Sequence, residues 1–198
     1  MAIWFVLSAV LLAAGMTLTV GTNRPAWARR RNRTVLRTAR LVLRPARPGD
    51  LLALHAIFTD AETMAYWSTP PHRDLATTQA WLESMLAADP AESCDFIIER
   101  DGRVIGKAGC WRLPEVGYIL ARDQWGQGLA REALEAVVAH VFAAQPVAAL
   151  TADVDPRNAR SLALLKGLGF VETARAERTM QIGEAWVDSV YLRLARPA

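Results

Sequence analysis

Residues 39–44 (Ala39-Arg40-Leu41-Val42-Leu43-Arg44) alternate apolar and polar side chains, the pattern of a half-buried strand, and Pro45 ends it. Helical spacing follows twice, over residues 50–58 (Leu51, Leu54, Ile57, Phe58) and 75–86 (Trp81, Leu82, Met85). A loop rich in aromatics and prolines, Tyr66 to Pro71, lies between them. Residues 95–100 and 103–110 flank the pair Asp101-Gly102, whose residues suit the left-handed positions of a tight turn, so a hairpin is predicted. A third strand, 115–121, follows Pro114. From Gly126 the chain is glycine-rich and then helical to Ala144, with Leu129, Ala133, Leu134, Val137, Val138, Val141 and Phe142 on one face. The order then becomes strand (148–154), helix (157–168), strand (170–180) and strand (185–194). This succession predicts an α/β domain layered around a mixed sheet.

Ahead of these elements, Ile3 to Val20 is apolar or small throughout, and eighteen residues is just enough to cross a bilayer as a helix. No Lys or Arg precedes it, while Arg24, Arg29, Arg30, Arg31 and Arg33 follow, a bias that keeps the following domain in the cytoplasm. The chain is therefore divided into a hydrophobic plus Arg-rich segment, 1–34, and a folded domain, 35–198. Two readings of 1–34 stand side by side: an anchor at the inner face of the membrane, or a stretch upstream of a translation start near Val35. Export ranks below both. The triplet Ala26-Trp27-Ala28 has the form of a cleavage site, but the n-region lacks a side-chain cation.

Charge and composition exclude several classes of function. Five of the 23 Lys and Arg lie in 1–34, so the remaining 18 face 20 acids and the domain carries about −2, despite a whole-chain charge of +3. A cationic nucleic-acid face is not expected from that balance. Cys94 and Cys110 form no CxxC pair, and His55, His72 and His140 show no ligand spacing, so no metal is implied. The two cysteines are expected as half-buried free thiols in strands.

The chemistry concentrates in Gly117-Tyr118-Ile119-Leu120-Ala121-Arg122-Asp123-Gln124-Trp125-Gly126-Gln127-Gly128-Leu129-Ala130-Arg131-Glu132-Ala133. A strand delivers the chain to two glycines at a helix start, where unpaired N–H groups and the positive end of the helix dipole converge on one spot. That is an anion site suited to a pyrophosphate, and the glycines allow close backbone approach. The plain alternative is a glycine-rich turn that merely caps a helix. A dinucleotide fingerprint needs GxGxxG after an early strand, and a Walker loop needs Gly-Lys-Ser/Thr; neither is present.

This segment resembles motif A of the GNAT acetyltransferases, Gln/Arg-x-x-Gly-x-Gly/Ala, with Gly128-Leu129-Ala130 matching its second half and Trp125 standing where Gln or Arg is usual. The Trp-Gly-x-Gly-x-Ala form is similar to the branch that holds the ribosomal-protein N-terminal acetyltransferases of RimJ/RimL type. Residues 36–45, the run Asn158-Ala159-Arg160-Ser161 to Lys166-Gly167-Leu168-Gly169-Phe170, and Trp186-Val187-Asp188-Ser189-Val190-Tyr191 match that branch in the same order, so the resemblance spans 36–195. It implies the GNAT fold, a central mixed and mostly antiparallel sheet flanked by helices. It also implies transfer of acetyl from acetyl-CoA to a primary amine by direct attack on the thioester, without a metal. Such an enzyme has its donor in the cytoplasm.

Site roles follow from the same resemblance. The backbone of Gly126, Gln127, Gly128, Leu129 and Ala130, beside Trp125, binds the pyrophosphate; Ile119, Leu120 and Ala121 line the pantetheine, and a strand amide near Leu120 faces the thioester oxygen. Asn158 bonds the pantetheine, although a helix-capping role fits it as well. An ammonium acceptor must lose a proton before it attacks, and Glu115 is the expected base, with a solvated strand-end glutamate as the alternative. Many relatives protonate the leaving thiolate from a tyrosine at the position of Leu165 here. That acid is missing, and Ser161 is the substitute, set against a plain packing role. Tyr66, Trp67, His72 and the segment from Gly183 to Trp186 are expected to contact the acceptor. The acceptor is a protein N-terminus or, alternatively, a small-molecule amine, and a non-catalytic acyl-CoA sensor is a third reading.

Overall fold

The structure is a computed structural model and describes residues 34–182 and 184–197. The hydrophobic run 3–20 lies outside the described residues. Among the described residues, no helix is long and apolar enough to cross a membrane.

Eight strands form one sheet in the order β1-β2-β3-β4-β5-β6-β8-β7. They are β1 (Leu36–Arg37), β2 (Val42–Arg44), β3 (Cys94–Arg100), β4 (Arg103–Arg112), β5 (Glu115–Leu120), β6 (Ala149–Val154), β7 (Val171–Ile182) and β8 (Ala185–Ala195). Helices α1 (Leu51–Phe58) and α2 (Leu75–Ala87) precede β3; α3 (Leu129–Ala144) links β5 to β6, and α4 (Ala159–Gly167) links β6 to β7. Every junction is antiparallel except β5/β6, which is parallel and holds a single register pair, Glu115 with Thr151. The α3 crossover dictates that parallel junction, because two strands joined by a helix on one sheet face run the same way.

Side-chain alternation along the strands gives the sheet two apolar faces. Phe96, Ile98, Leu120 and Leu150 pack with Leu129, Ala133, Leu134 and Val137 of α3. Ile97 and Ile119 pack on the other face with Leu54, Phe58, Leu82 and Met85 of α1 and α2. The expected elements are present with two differences. The predicted strand 39–44 is shortened to β2, because residues 38–41 make a turn between β1 and β2 in which Thr38 N–H donates to Leu41 O and Leu41 N–H donates to Thr38 Oγ1, both at 3.0 Å. The helix expected from Gly126 starts at Leu129, since Gly126 and Gly128 hold φ of 72° and 75°. Cys94 and Cys110 pair across β3/β4 and are free thiols that are fully buried rather than half-buried. Burial pushes the Cys94 thiol up to about 12.

One ion pair sits inside the second core. Lys107 on β4 and Asp95 on β3 have side chains only 2% exposed, with Nζ 2.7 Å from Oδ2, and the ammonium lies 5.6 Å from the centre of the Trp67 ring. Burial pushes the Asp95 carboxyl upward, and the Lys107 ammonium opposes that shift. Removing one partner strands a charge in an apolar layer, whereas replacing both removes the cost of desolvation. Lys107→Met is therefore expected to lower unfolding stability by about 3–5 kcal/mol in urea titration, and Lys107→Met/Asp95→Leu to recover most of that loss. A single variant as mild as a surface substitution would contradict a dry pair.

Candidate active site

The turn after β5 is built from side chains that fix its main chain and leave its amides open. Trp125, the departure from the usual motif, donates its indole Nε1–H to Leu120 O at 2.8 Å and so ties the turn to the end of the strand. Gly126 and Gly128 then take left-handed conformations that L side chains adopt only with strain. A Cβ at Gly126 would point into open space, and one at Gly128 would meet Arg40 Nη2 at 3.6 Å. Gly128 is the N-cap of α3 and offers no side-chain acceptor, so the first-turn N–H groups stay available to an anion.

The turn is braced from β1/β2 and β3. Arg40 donates from Nη1 to Gln127 O at 2.8 Å and from Nε to Glu132 Oε2 at 2.6 Å. Glu132 Oε1 accepts from Thr38 Oγ1 at 2.6 Å and Arg40 N at 2.8 Å. Burial raises the Glu132 carboxyl, but these donors outweigh it and hold the group below the usual carboxylate range. Arg100 donates to Gln127 Oε1 at 2.6 Å, and Gln127 Nε2 donates to Asp123 O at 3.0 Å. The Arg160 guanidinium lies 5.5 Å from the Trp125 ring centre. Arginines thus surround the open amides, which suits a polyanionic ligand. Arg40 and Arg100 escaped the motif reading because they come from distant segments.

Beyond Glu115 and Thr151, β5 and β6 share no further register pair, which leaves a seam in the sheet. Ile119, Leu120 and Ala121 border it and are buried, so they present main chain rather than reactive side chains. Ala121 N–H is taken by Ile105 O at 2.8 Å, and Leu120 O by Trp125. On the α3/α4 side of the seam, Tyr118 Oη and Ser161 Oγ are 2.7 Å apart, joining β5 to the first turn of α4. Asn158 caps that helix, accepting from Ser161 N–H at 3.1 Å. Burial pushes the Tyr118 phenol upward, opposed by the Ser161 hydrogen bond. Leu165 is 1% exposed in the core.

Glu115 stands on the opposite face of β5 from Val116 and Tyr118, as strand alternation requires. The residue is exposed, yet enough protein surrounds its carboxyl to raise it; Asp153 on β6 adds to the rise and Arg112 opposes it. Asp153 is itself raised by burial, against a hydrogen bond from Ser189. Of the expected acceptor contacts, Tyr66 is exposed with the Arg157 guanidinium 6.0 Å from its ring centre, and Trp67 lies 6.4 Å from Phe58. His72 is 8% exposed, with Nδ1 2.9 Å from Thr78 Oγ1 and its ring 4.9 Å from Phe58. It belongs to the wall behind the aromatic loop, and burial holds it below the usual histidine value. Trp186 is exposed beside Arg178; Gly183 lies outside the described residues. The structure therefore brings Tyr118 and Ser161 together and sets Glu115 on the same strand, facing the other way. Asp153 and Tyr118 were missed: the acid lies on the next strand, and the tyrosine's partner is 43 positions away. Strand alternation alone could have placed Tyr118 on the α4 side. Among the described residues, no three His, Cys, Asp or Glu gather as a metal site.

Residues 40–171 match the family model described as acetyltransferase (GNAT) domain. An L-methionine sulfoximine/L-methionine sulfone acetyltransferase of Pseudomonas paraeruginosa is 30% identical over 165 residues, covering 77% of this chain and 92% of that protein. The uncharacterized N-acetyltransferase p20 of Bacillus licheniformis is 28% identical over 144 residues, covering 68% and 81%. Among solved structures, RimL, the ribosomal L7/L12 α-N-protein acetyltransferase in complex with coenzyme A, superposes with a TM-score of 0.73 at 16% identity, covering 82% of this chain and 99% of that one. With an eight-stranded sheet opened at one parallel seam and a capless glycine turn beside it, the chain belongs to the GNAT family of N-acetyltransferases, and acetyl-CoA is its co-substrate.

Proposed function

We propose that acetyl-CoA enters the β5/β6 seam and that a primary amine, approaching the Glu115 face of the sheet, attacks its thioester carbonyl directly. The observation that carries this reading is the seam itself, a stretch of β5 that is laddered to β4 on one edge, has no register pair with β6 on the other, and ends at the open amides of Gly126, Gln127, Gly128, Leu129 and Ala130. Those amides receive the pyrophosphate. Main chain at Ile119, Leu120 and Ala121 lies beside the pantetheine, an amide near Leu120 polarises the thioester oxygen, and the Asn158 side chain divides its role between the helix cap and the cofactor. Glu115 takes the proton of the acceptor nitrogen, directly or through water, and Ser161 faces the departing sulfur. Tyr66, Trp67 and Trp186 border the acceptor's path.

Two acceptor classes each have an observation behind them. A small amine such as an amino-acid derivative is favoured by the relative at 30% identity across 92% of its length. A protein N-terminus is favoured by the RimJ/RimL-like segments at 36–45, 125–130, 158–170 and 186–191. Turnover of acetyl-CoA by the full chain against amino-acid analogues, polyamines and N-terminal peptides separates the two, and turnover of none of them points to the acyl-CoA sensor.

The pH dependence tests Glu115. Its carboxyl is raised, so the ionised base is lost as pH falls through a value above the ordinary glutamate range. The acceptor's own ammonium adds a separate limb near about 8 for an α-amine. Glu115→Gln is expected to lower kcat by about 10²–10⁴-fold and to erase the acid limb of the pH profile, leaving the acceptor's limb in place. Linkage gives stability the opposite trend: between the ordinary and the raised value the folded state holds the extra proton, so stability declines as pH rises through that window. An unchanged kcat and acid limb would return Glu115 to the solvated surface.

A further inference from the structure

Acetyl transfer releases a thiolate, which must gain a proton before the cofactor can leave as a stable thiol. On α4, Leu165 lies in the core and has no proton to give. Ser161 alone is a poor acid, because an alcohol that donates its proton to sulfur is left as an alkoxide unless another donor refills it. The refilling donor is on the page. Tyr118 projects from β5 toward α4, and its Oη lies 2.7 Å from Ser161 Oγ. We propose that Tyr118 is the proton reservoir of this site and passes its phenolic proton through the Ser161 hydroxyl to the leaving sulfur, a role that rests on reading the β5/β6 seam as the acetyl-CoA site.

Three features of the pair fit a relay. Ser161 sits in the first turn of α4 with its amide fixed by the Asn158 cap, so its hydroxyl is held in place rather than free to wander. Tyr118 shares its strand with Leu120, near which the thioester oxygen is polarised, and Trp125 fixes the Leu120 carbonyl. A phenol is protonated at neutral pH and burial raises this one further, so Tyr118 enters the cycle with its proton in place; because the shift also weakens it as an acid, it gives the proton only as the carbon–sulfur bond breaks and negative charge gathers on sulfur. The step balances. The nitrogen–carbon bond forms, the carbon–sulfur bond breaks with its pair going to sulfur, sulfur takes the Ser161 proton, and Ser161 Oγ takes the Tyr118 proton. The tyrosinate recovers a proton from solvent, matching the one that the acceptor nitrogen releases on the Glu115 side. Ser161 is the group that meets the sulfur; Tyr118 acts through it.

The test compares two leaving groups. With acetyl-CoA, Tyr118→Phe is expected to lose about 10²–10⁴-fold in kcat while KM and the affinity for CoA stay within about twofold. With 4-nitrothiophenyl acetate, whose aryl thiolate leaves without needing a proton, the same variant is expected to come within about threefold of the native chain. Ser161→Ala should show the same split, and the double variant should be no worse than Ser161→Ala alone, because both residues serve one step. An equal loss with both thioesters would mark Tyr118 as packing, and an unchanged kcat with acetyl-CoA would overturn the relay outright. If Tyr118→Phe fails to fold, Ser161→Ala carries the same requirement. A native chain that turns over no amine, yet binds acetyl-CoA, would overturn the enzymatic reading and the relay with it, a result distinct from active native chain with an indifferent variant.

Discussion

The single parallel junction in the sheet is the constraint on which the rest of the molecule depends. A strand inside a sheet has its hydrogen-bonding groups spent on both neighbours, and β6 on its β8 side shows this, paired from Ala149 with Ala195 to Val154 with Val190. β5 is different. It is held along β4 from Gly106–Leu120 to Arg112–Glu115, but meets β6 at one pair only. What keeps the two strands apart is that each is anchored elsewhere: β5 to β4 and to the Trp125 indole, β6 to β8. Their connection through α3 packs on one face of the sheet and cannot close the seam edge to edge. A ligand with extended amide groups is the natural partner for main chain left in that state.

The glycine turn is the second part of the proposed site. Open amides at a helix start attract any anion weakly, and what converts them into a site is rigidity and surrounding charge. Here Arg40 holds both Gln127 O and Glu132, Arg100 holds Gln127 through its side chain, and Trp125 fixes the entry. The two small strands at the sheet edge thus brace the glycine turn from a distance, through the Arg40 guanidinium between them. The opposite face carries the Lys107–Asp95 pair beneath the aromatic loop, so each face has its own buried or half-buried electrostatic anchor.

Much of this was legible in the sequence where a physical period or a steric need writes itself locally. Helical spacing located α1, α2 and α3, the Asp101-Gly102 pair located the β3–β4 hairpin, and the glycines at 126 and 128 announced a turn whose positive φ values the structure shows. Two things were not legible, each because the partner is remote. The turn that shortens the first strand is buttressed by Glu132, more than ninety positions away, which accepts from Thr38 and Arg40. Tyr118 stands in the middle of the motif and looks like strand filling until α4 folds Ser161 against it.

The central claim is that main chain along the seam and the glycine turn, rather than some other surface, takes up acetyl-CoA. Amide hydrogen exchange on the full chain, with and without acetyl-CoA, measures this most directly because it reads those N–H groups themselves. The account predicts slowed exchange in residues 116–120 and 126–130, no change along the β7–β8 hairpin, and loss of the protection in Gly128→Val. Protection centred on another part of the molecule, or protection at the turn that survives in Gly128→Val, would contradict it.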